Sequence, residues 1–275
     1  MLVTLKEILE IANQKNIAIG SFNTPNLTSL QAVIGAAEEL NLPVIVMHAQ
    51  VHEEMGLCKM NEIAPIMLML AKNASVPVCV HLDHGTDLDY VERGLKLGFT
   101  SVMYDGSALS EDENTQNTIK AVEMAKETGA SVEAEIGSMG AREGTGGGDS
   151  SIYTDPDAAV RFVNATGIDA LACAFGTAHG FYKDEPKLDF ERLSKIHSMV
   201  SVPIVMHGGS GVSEKDYREV ISRGVRKVNY YTYMAKAGGA AISGKQYDQL
   251  HDALRDAENA MREDVKRAMK VFANI

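Results

Sequence analysis

The sequence predicts an α/β fold: a single (β/α)8 TIM barrel with a C-terminal helical extension. Three observations carry the prediction. Eight short apolar, strand-like runs recur along the 275 residues, separated by helical patterns. Alternation of this kind specifies parallel strands with crossover helices. Eight such units in about 240 residues match the usual barrel size of about 250. An open doubly wound sheet competes, but it more often shows a GxGxxG turn after its first strand, and none follows Phe22.

The strand-like runs fall at 17–22, 44–48, 76–83, 101–104, 131–136, 170–175, 203–207 and 227–231. Helical spacing fills the gaps. A pattern at 27–40 ends before Asn41-Leu42-Pro43, and one at 61–74 ends before Val76-Pro77. Patterns at 88–97 and 111–128 stop at Gly98 and Gly129. Asp155-Pro156 supplies a cap and a first-turn proline for a helix ending near Gly167. Patterns at 189–199 and 213–223, and a segment after Thr232, complete the set. The N-terminal seven residues alternate like a surface helix and lack the basic and apolar regions of a signal peptide. Residues 245–275 read as one or two charged amphipathic helices that cover the barrel exterior or a subunit contact. No linker or close repeat divides the chain, so residues 1–275 are expected to form one domain.

Composition narrows the function classes. The net charge is -11 and no cluster of Lys and Arg forms a polyanion-binding patch, which argues against nucleic acid and membrane partners. No apolar run approaches the roughly 18 residues of a membrane span. Cys58, Cys79 and Cys173 lie far apart without a CxxC pair, as expected of a reducing, cytoplasmic compartment. An anionic small molecule would need local help from backbone N–H groups.

Active sites of such barrels lie at the C-terminal strand ends. Those ends carry Asn23; His48; His81, Asp83 and His84; Asp105; Glu133 and Glu135; His179; His207; and Asn229 with Thr232. His84, His179 and His207 follow three different strands, and each precedes a glycine. Three protein ligands plus an open position is the arrangement of catalytic zinc. The plainer reading is that each is a hydrogen-bonded core or rim histidine. His52, His197 and His251 are read as surface residues. His48 and His81 stay open, with His81 able to orient a ligand or carboxylate. The turn Gly208-Gly209-Ser210-Gly211, before a helix opened near Ser213, suits a phosphate. The loop 137–151 holds six glycines together with Arg142 and Glu143. It reads either as a plain connection or as a lid carrying a catalytic base.

Taken in order, Gly20-Ser-Phe-Asn23, His81-Leu-Asp-His-Gly85, Ser101-Val-Met-Tyr-Asp-Gly-Ser107, Val132-Glu-Ala-Glu-Ile-Gly137, Gly176-Thr-Ala-His-Gly180, His207-Gly-Gly-Ser-Gly211 and Lys227-Val-Asn229 form a specific set. The chain resembles the class II, metal-dependent ketose-bisphosphate aldolases from about residue 5 to 232. The resemblance implies a (β/α)8 barrel and reversible aldol cleavage of a phosphorylated ketose to dihydroxyacetone phosphate and an aldehyde, through a metal-stabilised enediolate. It implies Zn2+ on His84, His179 and His207, with Asp105 and Glu135 at a second or displaced metal position. Asp83 would move the proton at the aldehyde oxygen, and Glu143 the ketose C–H proton. Asn23, Gly180, Gly208, Gly209, Ser210, Asn229 and Thr232 would hold the dihydroxyacetone phosphate half, beside a monovalent cation, Na+ or K+. Homodimers or homotetramers are implied as well. A Schiff-base aldolase is the rival, with Lys227 as its amine, and a metal-dependent isomerase or epimerase, or a non-catalytic partner subunit, are the other readings.

Three departures from the family pattern point at the distal half of the substrate. Asn229-Tyr-Tyr-Thr-Tyr233 brings two aromatics where small or acidic groups are usual. Ala49 stands where many members have a serine. Tyr247-Asp-Gln-Leu replaces a C-terminal Asp-Pro-Arg segment. An aldehyde product other than glyceraldehyde 3-phosphate is expected, read by His48, Gln50, Arg142 or Tyr231.

Overall fold

The structure is a computed structural model that describes residues 1–137, 153–180 and 186–275. Eight parallel strands close into a barrel in sequence order: β2 (Ile19–Asn23), β3 (Val44–Ala49), β4 (Val78–Gly85), β5 (Ser101–Tyr104), β6 (Ser131–Ile136), β7 (Ala170–Cys173), β8 (Ile204–Met206) and β9 (Val225–Tyr230), which pairs back onto β2. A ninth strand, β1 (Leu2–Val3), was not expected. It pairs with Val78 and Cys79 of β4. Because β5 joins β4 only from His81 onward, β1 fills the edge beneath it. The Met1 ammonium secures it by donating to the carbonyls of Ala71, Ala74 and Val76. Thr4 and Glu7 form a capping box, so helix α1 (Leu5–Lys15) starts after the strand rather than at Met1.

Helices cover the barrel where the breakers placed them: α2 (Leu27–Leu40), α4 (Met60–Asn73), α5 (Leu88–Leu97), α6 (Glu111–Thr128), α7 (Pro156–Thr166), α8 (Phe190–Met199) and α9 (Glu214–Ser222). A short helix unseen in the sequence, α3 (Gln50–Glu54), caps the end of β3. After β9 come α10 (Thr232–Ile242) and α11 (Leu250–Phe272), a single long helix whose Met261, Val265, Met269 and Phe272 join the outer core. It therefore covers the barrel exterior. Its charged side reaches α2 through Arg262 and Lys266, both paired with Glu39.

Two apolar layers position the site. Strand residues facing the helices, such as Val44, Val46, Val78, Val80 and Val102, build the main core. Inside the barrel, Ile19, Ile45, Met47, Cys79, Ala170, Ala172 and Val205 pack against Leu5, Ile8, Leu9 and Ala12 of α1. Helix α1 thus plugs the N-terminal mouth. Burying an aliphatic side chain contributes about 1.5–3 kcal/mol, so this end is closed by apolar packing. Further along the same inward rows, at two-residue spacing, the side chains turn polar: Ser21 and Asn23, His81 and Asp83, Glu133 and Glu135, Lys227 and Asn229. No described helix is long and apolar enough to cross a membrane.

Candidate active site

A cavity of about 310 Å3 opens at the C-terminal ends of the strands. Its lining includes Asp83, His84, Asp105, Glu135, His179, Gly180, Gly208, Gly209, Ser210, Asn229 and Thr232.

The run Val80-His-Leu-Asp-His-Gly85 ends β4 irregularly. In a regular strand Asp83 and His84 would point to opposite faces. Here the β4–β5 register shifts between Leu82 and Gly85, and His84 takes the left-handed conformation at φ 49°. A bulge of this kind re-aims a side chain. Both neighbours therefore line the cavity. Gly85 must stay small: a Cβ there would come within 2.8 Å of Val91 Cγ2 and 2.9 Å of the Met103 carbonyl oxygen.

His84, His179 and His207 converge. One ring nitrogen from each lies within 4.8 Å of the others. The ring centroids are 4.9 Å apart for His84–His179, 4.6 Å for His84–His207 and 5.8 Å for His179–His207. His84 Nδ1 is engaged by Asp105 Oδ2 at 2.8 Å, and His207 Nε2 by Glu133 Oε1 at 2.8 Å. Their remaining nitrogens, His84 Nε2 and His207 Nδ1, are 2.9 Å apart. His84 with Asp105 and Glu135 forms a second group of the same compactness.

The electrostatics call for a cation. Burial disfavours a charged His84, but Asp83, Asp105 and Glu135 outweigh it and raise its pKa to about 10. Burial pushes Glu135 well above the carboxylate range, reinforced by Asp105, and its Oε2 has no hydrogen-bond partner. Three imidazoles with a buried carboxyl beside them, one of its oxygens unpartnered, fit a zinc-type donor set.

Asp83 is buried and accepts from Asn23 Nδ2 at 3.1 Å and Asn229 Nδ2 at 3.0 Å. Burial alone would raise its pKa, yet the surrounding imidazoles and Lys227 hold it below the usual range. His81 is not a member of the trio. Burial drives its pKa down to about 3, so it is neutral, with Nδ1 on Ser101 Oγ at 2.8 Å. Lys227, the Schiff-base candidate, is fully buried beneath the cavity. Its Nζ is 2.9 Å from Glu133 Oε2 and 2.7 Å from Asn229 Oδ1, and it is not part of the lining. The amine reading is dropped on that geometry.

On the glycine side, Ser210 Oγ accepts from the N–H groups of Tyr231 at 3.0 Å and Thr232 at 3.1 Å. The helix that begins at the cavity is α10, not the one after Ser213, whose start is capped by Ser213 itself. Gly208 has φ 61°, and a Cβ there would lie 2.3 Å from the Ala178 carbonyl oxygen.

The opposite rim comes from the ends of β3, β4 and β5. Gln50 lines the cavity there with Glu54, Thr86 and Ser107, of which the sequence did not single out Glu54 and Thr86, while Tyr231 lines it from the end of β9. Gln50 Oε1 accepts from Thr86 N, and its Nε2 donates to Glu54 Oε1, both at 2.9 Å. His48 is a correction. It shares the outward row of Val44 and Val46, does not line the cavity, and bonds Tyr90 Oη through Nε2 at 2.9 Å. His52 is a second correction: α3 buries it, with its ring 4.9 Å from that of Tyr231. Arg142 and Glu143 lie outside the described residues.

The family description "Fructose-bisphosphate aldolase class-II" matches residues 3–275. A fructose-bisphosphate aldolase of Staphylococcus aureus is 38% identical over 281 residues, covering 98% of this chain and 97% of the relative. The protein YdjI of Escherichia coli K12 is 36% identical over 267 residues, 96% of this chain and 94% of its own. The crystal structure of the YdjI aldolase superposes with a TM-score of 0.90 at 35% identity, covering 99% of this chain and 97% of that one. Matched in sequence and in fold along essentially its whole length, the chain belongs to the class-II fructose-bisphosphate aldolase family and is, by class, an aldolase: a carbon–carbon lyase of a metal-dependent family.

Proposed function

We propose that the protein cleaves a phosphorylated ketose reversibly to dihydroxyacetone phosphate and an aldehyde, with Zn2+ held by His84, His179 and His207. The observation that carries the reading is the approach of His84 Nε2 and His207 Nδ1 to 2.9 Å beside the Asp83 carboxylate. A divalent cation bound there supplies Lewis acidity toward the negative charge that develops on the substrate oxygens.

The chain's own groups do the rest. Asp83, kept ionised, takes the proton from the hydroxyl at the breaking bond and returns it in the condensation direction. A placed side chain contributes about 10²–10⁴-fold in this way. Glu143 is assigned the C–H proton of the ketose half. The turn at Gly180, Gly208, Gly209 and Ser210, with the N-terminal end of α10 beside it, holds the phosphate, since a helix N-terminus favours an anion; the Gly209 N–H itself is committed to the Asn229 carbonyl at 3.1 Å. Asn23 and Asn229 hold Asp83 on one side and the dihydroxyacetone half on the other. Asp105 and Glu135 offer a second or displaced metal position. A Na+ or K+ beside the phosphate turn belongs to the same reading, as do a cytoplasmic location and a homodimer or homotetramer.

The aldehyde half differs from glyceraldehyde 3-phosphate in this reading. The rim expected to meet it presents Ala49, Gln50 and the Glu54 carboxylate. A carboxylate repels a distal phosphate, whereas Gln50 and Glu54 both accept hydroxyl hydrogen bonds. The test is a panel of ketose 1-phosphates and 1,6-bisphosphates, with release of dihydroxyacetone phosphate as the readout. Cleavage into two fragments, abolished by a chelator and best with a monophosphate, is expected. A single isomerised product, or preference for fructose 1,6-bisphosphate, contradicts the reading.

A further inference from the structure

The polar row under the cavity contains a lysine–glutamate pair with no role in the steps above. We infer that Lys227 and Glu133 are positioning residues: together they fix which nitrogen of His207 carries hydrogen and which way the amide of Asn229 faces Asp83. The inference rests on the proposed roles of His207 as a metal ligand and Asp83 as a proton acceptor.

Donors and acceptors in this buried row can be matched in one way. Lys227 Nζ is fully buried and lies 2.9 Å and 3.2 Å from the two oxygens of Glu133 and 2.7 Å from Asn229 Oδ1. An ammonium has three donors and no acceptor, so every group facing it must accept. Asn229 is therefore bound to turn its carbonyl oxygen toward Lys227. Its NH2 is left for Asp83 Oδ1, at 3.0 Å. The flipped amide would set NH2 against the ammonium and a carbonyl against the carboxylate, and both contacts repel.

Glu133 works the same way on the other side. As a carboxylate it only accepts, so His207 Nε2, 2.8 Å from Glu133 Oε1, carries the hydrogen. His207 Nδ1 then has its lone pair free, and it is this nitrogen that lies against His84 Nε2. His81 sits beside the pair, its Nε2 3.8 Å from Glu133 Oε2. One buried cation thus sets both the ligand tautomer and the donor offered to Asp83. Outer partners of ligating histidines are worth about 10–100-fold in metal affinity.

Glu133→Gln tests the logic sharply. Facing Lys227, the new amide turns its oxygen to the ammonium and its NH2 toward His207 Nε2. That drives the ring hydrogen onto Nδ1 and removes the ligand lone pair. In the double variant Glu133→Gln/Lys227→Met the ammonium is gone, so the glutamine oxygen returns to His207 and the original tautomer is restored. The double variant also leaves no unpaired buried charge, so it keeps the test open if the single variant fails to fold.

The measurement is Zn2+ affinity by competition with a chromophoric chelator, alongside 15N spectra of the histidine rings in the metal-free protein. The expected result is a 10–100-fold loss for Glu133→Gln, with hydrogen on His207 Nδ1. Substantial recovery is expected in the double variant, whose kcat stays low because Asn229 is no longer held. A double variant binding Zn2+ no better than Glu133→Gln, or Glu133→Gln binding like the wild type, overturns the inference. Failure of the wild type to bind Zn2+ at all overturns the metal reading itself, a separate outcome.

Discussion

His84 Nε2 and His207 Nδ1 stand 2.9 Å apart, with each ring's other nitrogen already committed to a carboxylate. Two imidazole lone pairs tolerate that approach only with a proton or a cation between them. In the metal-free protein a proton on His84, favoured by the neighbouring Asp83 and Asp105 carboxylates, meets that demand.

Metal binding must therefore release that proton. Zn2+ affinity is expected to rise by about tenfold per pH unit from pH 7 toward 10 for one displaced proton, as read by calorimetry in buffers of different ionisation enthalpy. Flat affinity across that range would contradict the assignment of His84.

Removing one ring weakens the hold on the ion without abolishing it. His179→Ala is expected to bind less than one equivalent of zinc. It should cut cleavage by about 10³-fold or more, because the Lewis acid is worth several kcal/mol of charge stabilisation. Metal analysis and a coupled assay for dihydroxyacetone phosphate check both.

Asp83→Asn separates proton transfer from metal binding. Zinc content should stay at the wild-type level while kcat falls by about 10²–10⁴-fold. Loss of zinc in this variant would mean that Asp83 acts as a ligand.

Ser210→Ala leaves the N–H groups of Tyr231 and Thr232 without their hydroxyl acceptor. The expected cost is about 1 kcal/mol of stability. Because the start of α10 is then less well held, KM for the phosphorylated ketose should rise several-fold, with kcat changed less.

His48 gives a pH test away from the ion. Burial holds its pKa at about 4, below the 6.5 of the unfolded chain. The unfolded state therefore binds a proton below pH 6.5 that the folded state refuses until pH 4. Stability should fall as pH drops through this window. His48→Gln, which can still meet Tyr90, should lose about 2 kcal/mol less than the wild type between pH 7 and 5, measured by urea unfolding.

The barrel was legible because its signals are local: apolar runs, caps and breakers recur eight times at the right spacing. The rim was legible for a similar reason, since inward rows turn from apolar to ionisable at their C-terminal ends. What escaped depends on tertiary geometry. Alternation alone sends Asp83 and His84 to opposite faces, and only the kink at His84 brings both into the cavity. His48 looked like a site residue by position, but the same alternation turns it outward onto Tyr90. His52 looked exposed because α3, too short for a periodic signal, was not visible. Lys227 read as the amine of a Schiff-base rival, since its partner Glu133 is 94 residues away in sequence and gave no sign of the pairing.

The most direct test of the central claim is zinc K-edge absorption on the purified protein. Three imidazole nitrogens at about 2.0–2.1 Å, reduced to two in His179→Ala, are what the geometry predicts. A zinc-loaded protein showing only oxygen or sulfur ligands, or an unchanged spectrum in His179→Ala, would contradict it.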